Sequence, residues 1–308
     1  MGYWGKNYLR LIEEIKDGIL VQTCDSNPEI GSFHFVDHTK NYQDLIKNNR
    51  IDAVIISTDA STHYKITRDF LTAGIHVLVE KPLSLRSKEC EELVKIASTK
   101  NLILMVGHIY YFNQIILEIK KILDDGFLGQ PIRFSSRRFN FGPIRRDVDS
   151  MWDLGIHDLT ILNYLFGCNP TRINVNKKND DPSISQHYNY AKMDLSYGLI
   201  NGQIETDWLY PTKIRYLEIK CTNGLLVFDE ISSQKITTFK RDQDSYTEVK
   251  LVRKFKESEP LKSEVEYFIR SIKSESIDEY YSQSYIDMIK TLEFGDRSFK
   301  MKREMEMK

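Results

Sequence analysis

The segment Gly74–Ser84, with the sequence GIHVLVEKPLS, sets the fold class. In it a short apolar run is followed directly by the charged residues Glu80 and Lys81. The run HVLV is too short for a buried helix and is typical of a strand that is covered on both faces. Two similar runs lie on either side of it along the chain, AVIIST at Ala53–Thr58 and LILMVG at Leu102–Gly107. Strands that alternate with helical patterns at this spacing predict a parallel sheet in an α/β domain.

The patterns between these strands repeat apolar residues at a helical spacing of three or four. In Lys6–Lys16, for example, the repeated residues are Leu9, Ile12 and Ile15. The other predicted elements of this half are the strand Ile19–Asp25 and the helices Tyr42–Asn48, His63–Thr72 and Ser87–Ser98. Residues 1–117 are therefore predicted to form a doubly wound α/β domain.

The pattern changes near Arg133, where the predicted strands become longer and alternate weakly. Within Arg215–Glu230, the letters TNG mark a hairpin turn. The other strand patterns are IRFSSRRF, YAKMDLSY and NGQIETDWLY, and helices are predicted at Ile115–Asp124, Met151–Phe166, Leu261–Ile272 and Tyr285–Arg303. Residues 118–308 are therefore predicted to form an α+β domain with an open antiparallel sheet.

The composition is that of an ordinary folded protein, with 41% hydrophobic and 28% charged residues and a net charge of -1. This charge balance gives no electrostatic case for a nucleic acid or an anionic membrane as partner. The four cysteines, Cys24, Cys90, Cys168 and Cys221, are scattered without a CxxC pair, so neither disulfides nor a metal site is predicted. No apolar run approaches the roughly 20 residues of a membrane span. We expect a cytoplasmic protein.

The opening sequence MGYWGKN is typical of the end of a dinucleotide-binding loop. Gly2 and Gly5 match the second and third glycines of GxGxxG, which let a pyrophosphate approach the N-terminus of the next helix. Asp25 ends the following strand, where an acid accepts hydrogen bonds from the adenosine ribose and repels a 2′-phosphate. We therefore predict NAD, in preference to NADP, as the cofactor. The alternative is a flexible terminus that holds two glycines.

The strand and the first glycine that normally precede such a loop are missing from this sequence. In the strand order 3-2-1-4-5-6 the first strand is central, so its loss would leave its two neighbours unpaired. The simplest hypothesis is a natural product that is longer by one strand.

Two further motifs are candidates for the chemistry. Lys81, between Glu80 and Pro82, follows a buried strand, and the carboxyl ends of parallel strands form the ligand crevice of such sheets. Asp153 and His157 are four residues apart in WDLGIHD, near a helix start whose dipole favours a neutral imidazole. Oxidation of a secondary alcohol needs a base and a cation beside the developing alkoxide. Taken alone, Lys81 would also fit a surface lysine. Asp153 would also fit a helix cap, and His157 a histidine packed in the core.

With these motifs together, the sequence resembles the glucose-fructose oxidoreductase / inositol dehydrogenase / MocA (Gfo/Idh/MocA) family of NAD(P)-dependent oxidoreductases. The EKP segment with a downstream DxGxHD is the specific part. GYWGKN and IRRDVDSMWDLGIHD are similar to members that act on sugar nucleotides in surface-polysaccharide pathways. The other similar stretches are CDSNPE, AVIISTDASTHY, GIHVLVEKPLS, VGHIYYFNQ and GFLGQPIRF. The resemblance implies a Rossmann NAD(P)-binding domain, here without its first strand, followed by the α+β domain.

The resemblance also implies roles for individual residues. Lys81 would contact the reacting hydroxyl and the nicotinamide ribose, His157 would accept the proton, and Asp153 would orient the substrate or the histidine. Whether Lys81 or His157 is the base stays open. The implied cofactor-binding residues are Gly2, Tyr3, Trp4, Gly5, Asp25, Thr58, His63, Glu80 and Lys81, with His108 as a further candidate.

The predicted reaction is hydride transfer between nicotinamide and a secondary alcohol or ketone of a sugar, favouring a nucleotide sugar. Arg145 and Arg146, with Arg137, are candidate phosphate ligands, and Asn113 is a candidate substrate contact. Exposed arginines and a helix-start asparagine are the alternatives. The competing functions are a cyclitol dehydrogenase, an inactive relative that only binds ligand, and transient oxidation within an elimination or hydrolysis. The resemblance implies a homodimer or tetramer.

Overall fold

The computed structural model describes residues 2–15, 17–27, 36–251 and 258–307. Pro28 and Glu29 of the CDSNPE stretch lie outside these described residues, as do Met1 and Lys16. Elements are numbered in chain order.

The chain forms two compact units, and each is built from two separate stretches of sequence. The first unit consists of Met1–Ile109 and Glu259–Ile289. The second consists of Tyr110–Ser258 and Lys290–Lys308. The division into domains at residue 117 stays a prediction.

In the part of the first unit that the structure describes, five short parallel strands form two sheets. One sheet pairs β1 (Gln22–Cys24) with β2 (Asp37–Thr39). The other has the order β3 (Ala53–Ile56), β4 (His76–Glu80), β5 (Leu104–Gly107). Within the described residues no ladder joins β1 to β3.

Two strand predictions in this unit need correction. Of the strand predicted at Ile19–Asp25, only the three residues of β1 form a strand, and Ile19 is 88% exposed. The strand β3, predicted to be buried, is half-buried except for Ile56. Since β3 has a hydrogen-bonded neighbour on one side only among the described strands, its pattern of β-branched residues overstates its burial.

Helices connect these strands, and a late helix completes the unit. They are α1 (Tyr3–Glu14), α2 (Tyr42–Ile46), α3 (Ala60–Thr72), α4 (Ser87–Thr99) and α7 (Pro260–Ser274). The helix α7 buries Leu261, Val265 and Phe268. The Arg10 guanidinium of α1 pairs with the carboxylate of Glu259, which immediately precedes α7. Residues far apart along the chain therefore build one core.

The second unit is organised around a sheet whose nine described strands have the order β13-β12-β11-β10-β6-β9-β8-β7-β14. The strands are β6 (Pro131–Phe139), β7 (Arg172–Lys178), β8 (Tyr190–Tyr197), β9 (Ile200–Asp207), β10 (Ile214–Cys221), β11 (Gly224–Asp229), β12 (Ile236–Arg241), β13 (Tyr246–Val249) and β14 (Met305–Glu306). The predicted TNG hairpin is confirmed, because Cys221 pairs with Gly224.

The predicted open antiparallel sheet differs from the structure at one place, because β6 and β9 pair in parallel. The sheet is therefore mixed. Side chains alternate between the two faces of a strand in either orientation, so the alternation of apolar residues does not reveal the direction of the neighbouring strand.

The helices of the second unit include α5 (Gln114–Asp124) and α6 (Ile156–Phe166). A π-helical turn at Met151–Gly155 leads directly into α6, so the helix predicted over Met151–Phe166 is confirmed with an unusual first turn. The long helix α8 (Glu279–Met301) contributes its first part to the first unit and its remainder to the second.

The glycine of the DxGxHD motif is explained by close packing against the sheet. A Cβ atom on Gly155 would lie 2.6 Å from Cε of Met193 on β8. Any larger residue would have to displace this methionine, which is completely buried. The motif therefore packs closely against the sheet at its glycine.

Candidate functional site

The N-terminus of α1 forms the candidate pyrophosphate site of the first unit. Gly2 lies in extended backbone just before the helix, and its carbonyl accepts the N–H of Lys6 at 3.2 Å. Tyr3, Trp4 and Gly5 form the first turn, whose N–H groups an α-helix cannot bond internally. Together with the helix dipole, such N–H groups favour a phosphate. The helix begins earlier than the predicted Lys6, so Gly2 is its N-cap and Gly5 belongs to its first turn.

Asp25 follows β1 directly and is half-buried. Its Oδ1 accepts the backbone N–H of Asn27 at 2.8 Å, and its own N–H donates to the Thr39 carbonyl at 3.1 Å. These bonds fix the carboxylate at the end of β1. N–H donors at the start of α1 suit phosphates, and an acid after β1 suits ribose hydroxyls, so the residues present fit NAD.

Glu80 and Lys81 lie at the carboxyl end of β4, the middle strand of its sheet. Glu80 is 6% exposed, and its Oε1 accepts the hydroxyl of Tyr8 at 2.9 Å. Its Oε2 accepts the backbone N–H of Lys81 at 3.2 Å. Lys81 itself is half-buried. The strand end thus holds Lys81 at the edge where parallel sheets bind their ligands.

His63 lies completely buried on α3, between the exits of β3 and β4. Its Nδ1 is 2.7 Å from the carbonyl oxygen of Pro82, and its Nε2 is 3.0 Å from that of Thr58. The Thr58 side chain is exposed, and its hydroxyl is 2.7 Å from that of Thr62. His63 therefore ties the two strand exits together through their backbone.

His108 follows β5 and is 2% exposed. Burial, together with the positive charge of Lys81, lowers the pKa of His108 to about 3. Its ring stacks on that of Tyr285, with the two ring centroids 5.8 Å apart. A histidine with this pKa is neutral at physiological pH and a weak base, so the geometry favours a packing role.

In the second unit, Asp153 and His157 lie where the π turn passes into α6. The indole N–H of Trp208 donates to Asp153 Oδ2 at 3.2 Å. His157 is half-buried, and its ring meets that of Tyr110 edge to face, with centroids 5.5 Å apart. A π turn adds a residue to each hydrogen-bonded turn, so the four-residue spacing does not stack the two side chains as an α-helix would.

Tyr110 is held in place by a buried charge network. Its hydroxyl accepts a hydrogen bond from Arg138 Nη1 at 2.7 Å and donates to Glu230 Oε2 at 2.9 Å. Asp158 accepts two bonds from Arg138, at 2.6 and 3.2 Å. Burial raises the pKa of Tyr110 to about 12, so its hydroxyl stays protonated. Burial opposes the charge of Arg138, but the Asp158 carboxylate raises the pKa of this guanidinium above its usual value.

The candidate substrate residues have varied surroundings. Arg145 is half-buried with its Nε 3.7 Å from Asp147 Oδ1, whereas Arg146 is exposed. Arg137 is also exposed and lies over the ring of Tyr216, 5.0 Å from its centroid.

Asn113 caps a helix. Its side-chain oxygen accepts the backbone N–H groups of Ile115 and Ile116, at 2.9 and 3.4 Å. The structure therefore places Asn113 in the helix-start role that was the alternative to a substrate contact.

Several residues that support these groups were not predicted. They include Tyr8, Glu264, Tyr110, Arg138 and Trp208. Tyr8 contacts partners 72 and 256 residues away, and nothing in the sequence marks such a pairing. The conspicuous motifs could be recognised from the sequence alone. The contacts that support them could be identified only in the folded structure.

The described residues contain no cluster of three or more His, Cys, Asp or Glu side chains arranged to hold a metal ion. The same part of the chain contains no helix that is both long and apolar enough to cross a bilayer.

Two family models match this chain. Residues 1–108 match the Gfo/Idh/MocA model described as an oxidoreductase family with an NAD-binding Rossmann fold. Residues 116–227 match the Gfo/Idh/MocA C-terminal domain. The resemblance stated from the sequence is thereby confirmed.

Curated relatives are similar over part of the chain. A UDP-N-acetylglucosamine 3-dehydrogenase from Acidithiobacillus ferrooxidans is 35% identical over 124 residues, which are 40% of this chain and 38% of that protein. An inositol 2-dehydrogenase/D-chiro-inositol 3-dehydrogenase from Lactiplantibacillus plantarum is 29% identical over 159 residues, or 50% of this chain and 44% of the relative. The matched stretches thus span less than half of either relative.

A solved structure shows the same fold over the whole chain. The protein GenD2 from gentamicin A biosynthesis, in complex with NAD, superposes with a TM-score of 0.86 at 17% identity, covering 100% of this chain and 94% of the other. At this identity the likeness concerns the fold alone. Since the two family models together span more than half of the sequence, the chain belongs to the Gfo/Idh/MocA family of oxidoreductases.

Proposed function

We propose that the protein is an NAD-dependent dehydrogenase that oxidises a secondary alcohol of a sugar, or reduces the corresponding ketone. The observation that carries this proposal is the position of Lys81 in a chain of this family. It is a half-buried lysine at the carboxyl end of β4, anchored through its backbone to the buried carboxylate of Glu80. A cation in this position suits a developing alkoxide.

In the proposed mechanism, each residue has a distinct task. Bound NAD supplies the hydride acceptor, held by Gly2–Gly5 and Asp25. Lys81 stabilises negative charge on the substrate oxygen. His157, whose ring is oriented by the ring of Tyr110, accepts the hydroxyl proton. Asp153, whose carboxylate is fixed by Trp208, orients the substrate or the histidine. The surroundings of His108 favour His157 as the histidine that carries the proton, and a role of Lys81 as base is the alternative.

For the substrate, we propose a nucleotide sugar used in surface-polysaccharide synthesis. The similarity to a UDP-N-acetylglucosamine 3-dehydrogenase supports this choice, and Arg145 and Arg146 are the proposed phosphate ligands. A cyclitol is the second candidate, supported by the similarity to an inositol dehydrogenase. We further propose a cytoplasmic homodimer or tetramer.

A substrate screen tests this function. With NAD present, UDP-N-acetylglucosamine should raise the melting temperature and increase the absorbance of reduced nicotinamide, whereas myo-inositol should do neither. A response to inositol alone would favour the hypothesis of a cyclitol dehydrogenase. Product without a net absorbance change would indicate transient oxidation, and binding without product would indicate an inactive relative. Arg146→Ala, measured in parallel, should weaken UDP binding more than Arg172→Ala, which alters a partly exposed arginine of β7.

The preference for NAD gives a separate prediction at Asp25. In Asp25→Ser, we expect NAD affinity to fall by about 10- to 150-fold, because hydrogen bonds to a charged group contribute roughly 1.5–3 kcal/mol. NADP should bind relatively better, since the 2′-phosphate loses a repelling carboxylate. Titration calorimetry with both cofactors measures the ratio. The matched control is Asp52→Ser, an exposed acid in the same unit, and an unchanged ratio in Asp25→Ser would contradict the assignment.

A further inference from the structure

A buried cluster of Tyr8, Glu80 and Glu264 lies beneath the Lys81 segment of the first unit. The Tyr8 hydroxyl is 2.9 Å from Glu80 Oε1 and 3.2 Å from Glu264 Oε1. These residues come from α1, β4 and α7 and are 3%, 6% and 0% exposed. Gly107 of β5 borders the cluster, and a Cβ there would lie 3.3 Å from the Tyr8 hydroxyl. Four elements therefore meet around one hydroxyl and two carboxyl groups.

Two carboxylates so close to one hydroxyl cannot both remain charged without a further cation or donor. A phenol has one proton to donate, so Tyr8 satisfies only one of them. Burial disfavours the charged form of a carboxyl, and a neighbouring carboxylate disfavours it further. One proton must therefore be added to the pair at neutral pH, as in other sites where two acids share a buried environment.

The surroundings indicate which carboxyl group holds the proton. Glu80 Oε1 accepts from Tyr8 and its Oε2 from the Lys81 backbone N–H, so both oxygens meet donors. Glu264 is more deeply buried, and its Oε2 has no hydrogen-bond partner among the described residues. Burial, and then the charge of Glu80, raise the pKa of Glu264 well above its usual range.

We propose that Glu264 is a positioning residue that carries a proton at neutral pH and donates it to Tyr8. Tyr8 then donates to the ionised Glu80, and Glu80 holds the backbone N–H of Lys81. Burial raises the pKa of Tyr8, so the phenol keeps its own proton. The directions of the Glu264–Tyr8 and Tyr8–Glu80 hydrogen bonds follow from the single added proton. As far as it concerns turnover, this inference rests on the proposed role of Lys81.

Infrared difference spectra between the wild-type protein and its variants test which carboxyl group carries the proton. This measurement needs no substrate. The wild-type protein should show the carbonyl band of a buried protonated carboxyl group at neutral pH. We expect Glu264→Gln to remove this band, because a glutamine has no carboxyl group. The matched control is Glu266→Gln, two residues along α7 and half-buried, which should leave the band in place. Loss of the band in Glu80→Gln but not in Glu264→Gln would assign the proton to Glu80 and overturn the proposal.

Turnover tests the positioning role. A glutamine at position 264 is neutral and can still donate to Tyr8, whereas an alanine cannot. We therefore expect Glu264→Ala to lower kcat by about tenfold more than Glu264→Gln, as for the loss of one hydrogen bond to a buried polar group. The KM for the sugar should change less than kcat. Equal kcat in the two variants would overturn the positioning role, and absence of any turnover in the wild type would refute the proposed function while leaving the infrared result intact.

The pH dependence of the unfolding free energy should also reveal the proton on Glu264. Among the described residues, the titratable groups facing Glu264 are Tyr8 from α1 and Glu80 from β4, and Gly107 from β5 adds no side chain. Because the folded-state pKa of Glu264 is raised, its stabilising contribution is present at low pH and is lost as the pH rises towards that pKa. The fall in unfolding free energy above the ordinary glutamate pKa should be weaker in Glu264→Gln. An unchanged pH dependence would contradict a raised pKa at this residue.

Discussion

Replacing Lys81 by alanine should reduce turnover by about 10²–10³-fold, the usual loss when one stabilising donor is removed from a developing oxyanion. Binding of NAD should be largely retained, because Asp25 and the first turn of α1 are left in place. Steady-state absorbance of reduced nicotinamide measures turnover, and calorimetry measures NAD affinity. The expected result is therefore a separation of chemistry from cofactor binding.

The control for this experiment is Lys88→Ala, which removes an exposed lysine from α4 in the same unit. It should leave both quantities unchanged within experimental error. Normal turnover in Lys81→Ala would remove the proposed role of this residue. Equal losses of turnover and NAD affinity would instead assign Lys81 to cofactor binding.

The second large effect is expected at Asp158, beneath the proposed base. In Asp158→Ala, the guanidinium of Arg138 would remain buried without its bidentate partner. Breaking a buried pair in this way costs about 3–5 kcal/mol of unfolding free energy. Ser136 would lose a partner as well, since its hydroxyl donates to Asp158 at 2.7 Å. Urea denaturation measures the loss.

An exposed ion pair in the same unit provides the comparison. Lys192 Nζ lies 3.4 Å from Asp194 Oδ1, and both side chains are more than a third exposed. Asp194→Ala should therefore change the unfolding free energy by less than about 1 kcal/mol. The double variant Arg138→Met/Asp158→Leu should be more stable than Asp158→Ala, because it leaves no unpaired buried charge. If Asp158→Ala were no more harmful than Asp194→Ala, the network would not be important for stability.

Local sequence patterns predicted some elements with accurate bounds. The strands β4 and β8 have the predicted limits. The predicted strand at Ile19–Asp25 was too long, since apolar residues there have no neighbouring strand to cover them. Local pattern therefore reports what a residue prefers, but the neighbouring chain decides whether that preference is met.

Long-range features could not be predicted in this way. The parallel pairing of β6 with β9 has no local signature, and neither does the assignment of α7 to the first unit. Lys81, Asp153 and His157 were conspicuous because each belongs to a short motif. Glu264 and Arg138 are single residues in ordinary amphipathic segments, and they become meaningful only through contacts with distant partners.

The discontinuous first unit has a consequence for how the protein folds during its synthesis. Its initial 109 residues leave the ribosome without α7, although α7 supplies Glu264, Val265 and Phe268 to their core. At the usual rate of translation, the missing segment follows only roughly 10–40 seconds later. Until then the nascent unit must expose the apolar surface that α7 later covers. Chaperone binding to ribosome-bound chains should therefore persist until Ser274, the last residue of α7, has emerged, well after the second unit has begun to fold.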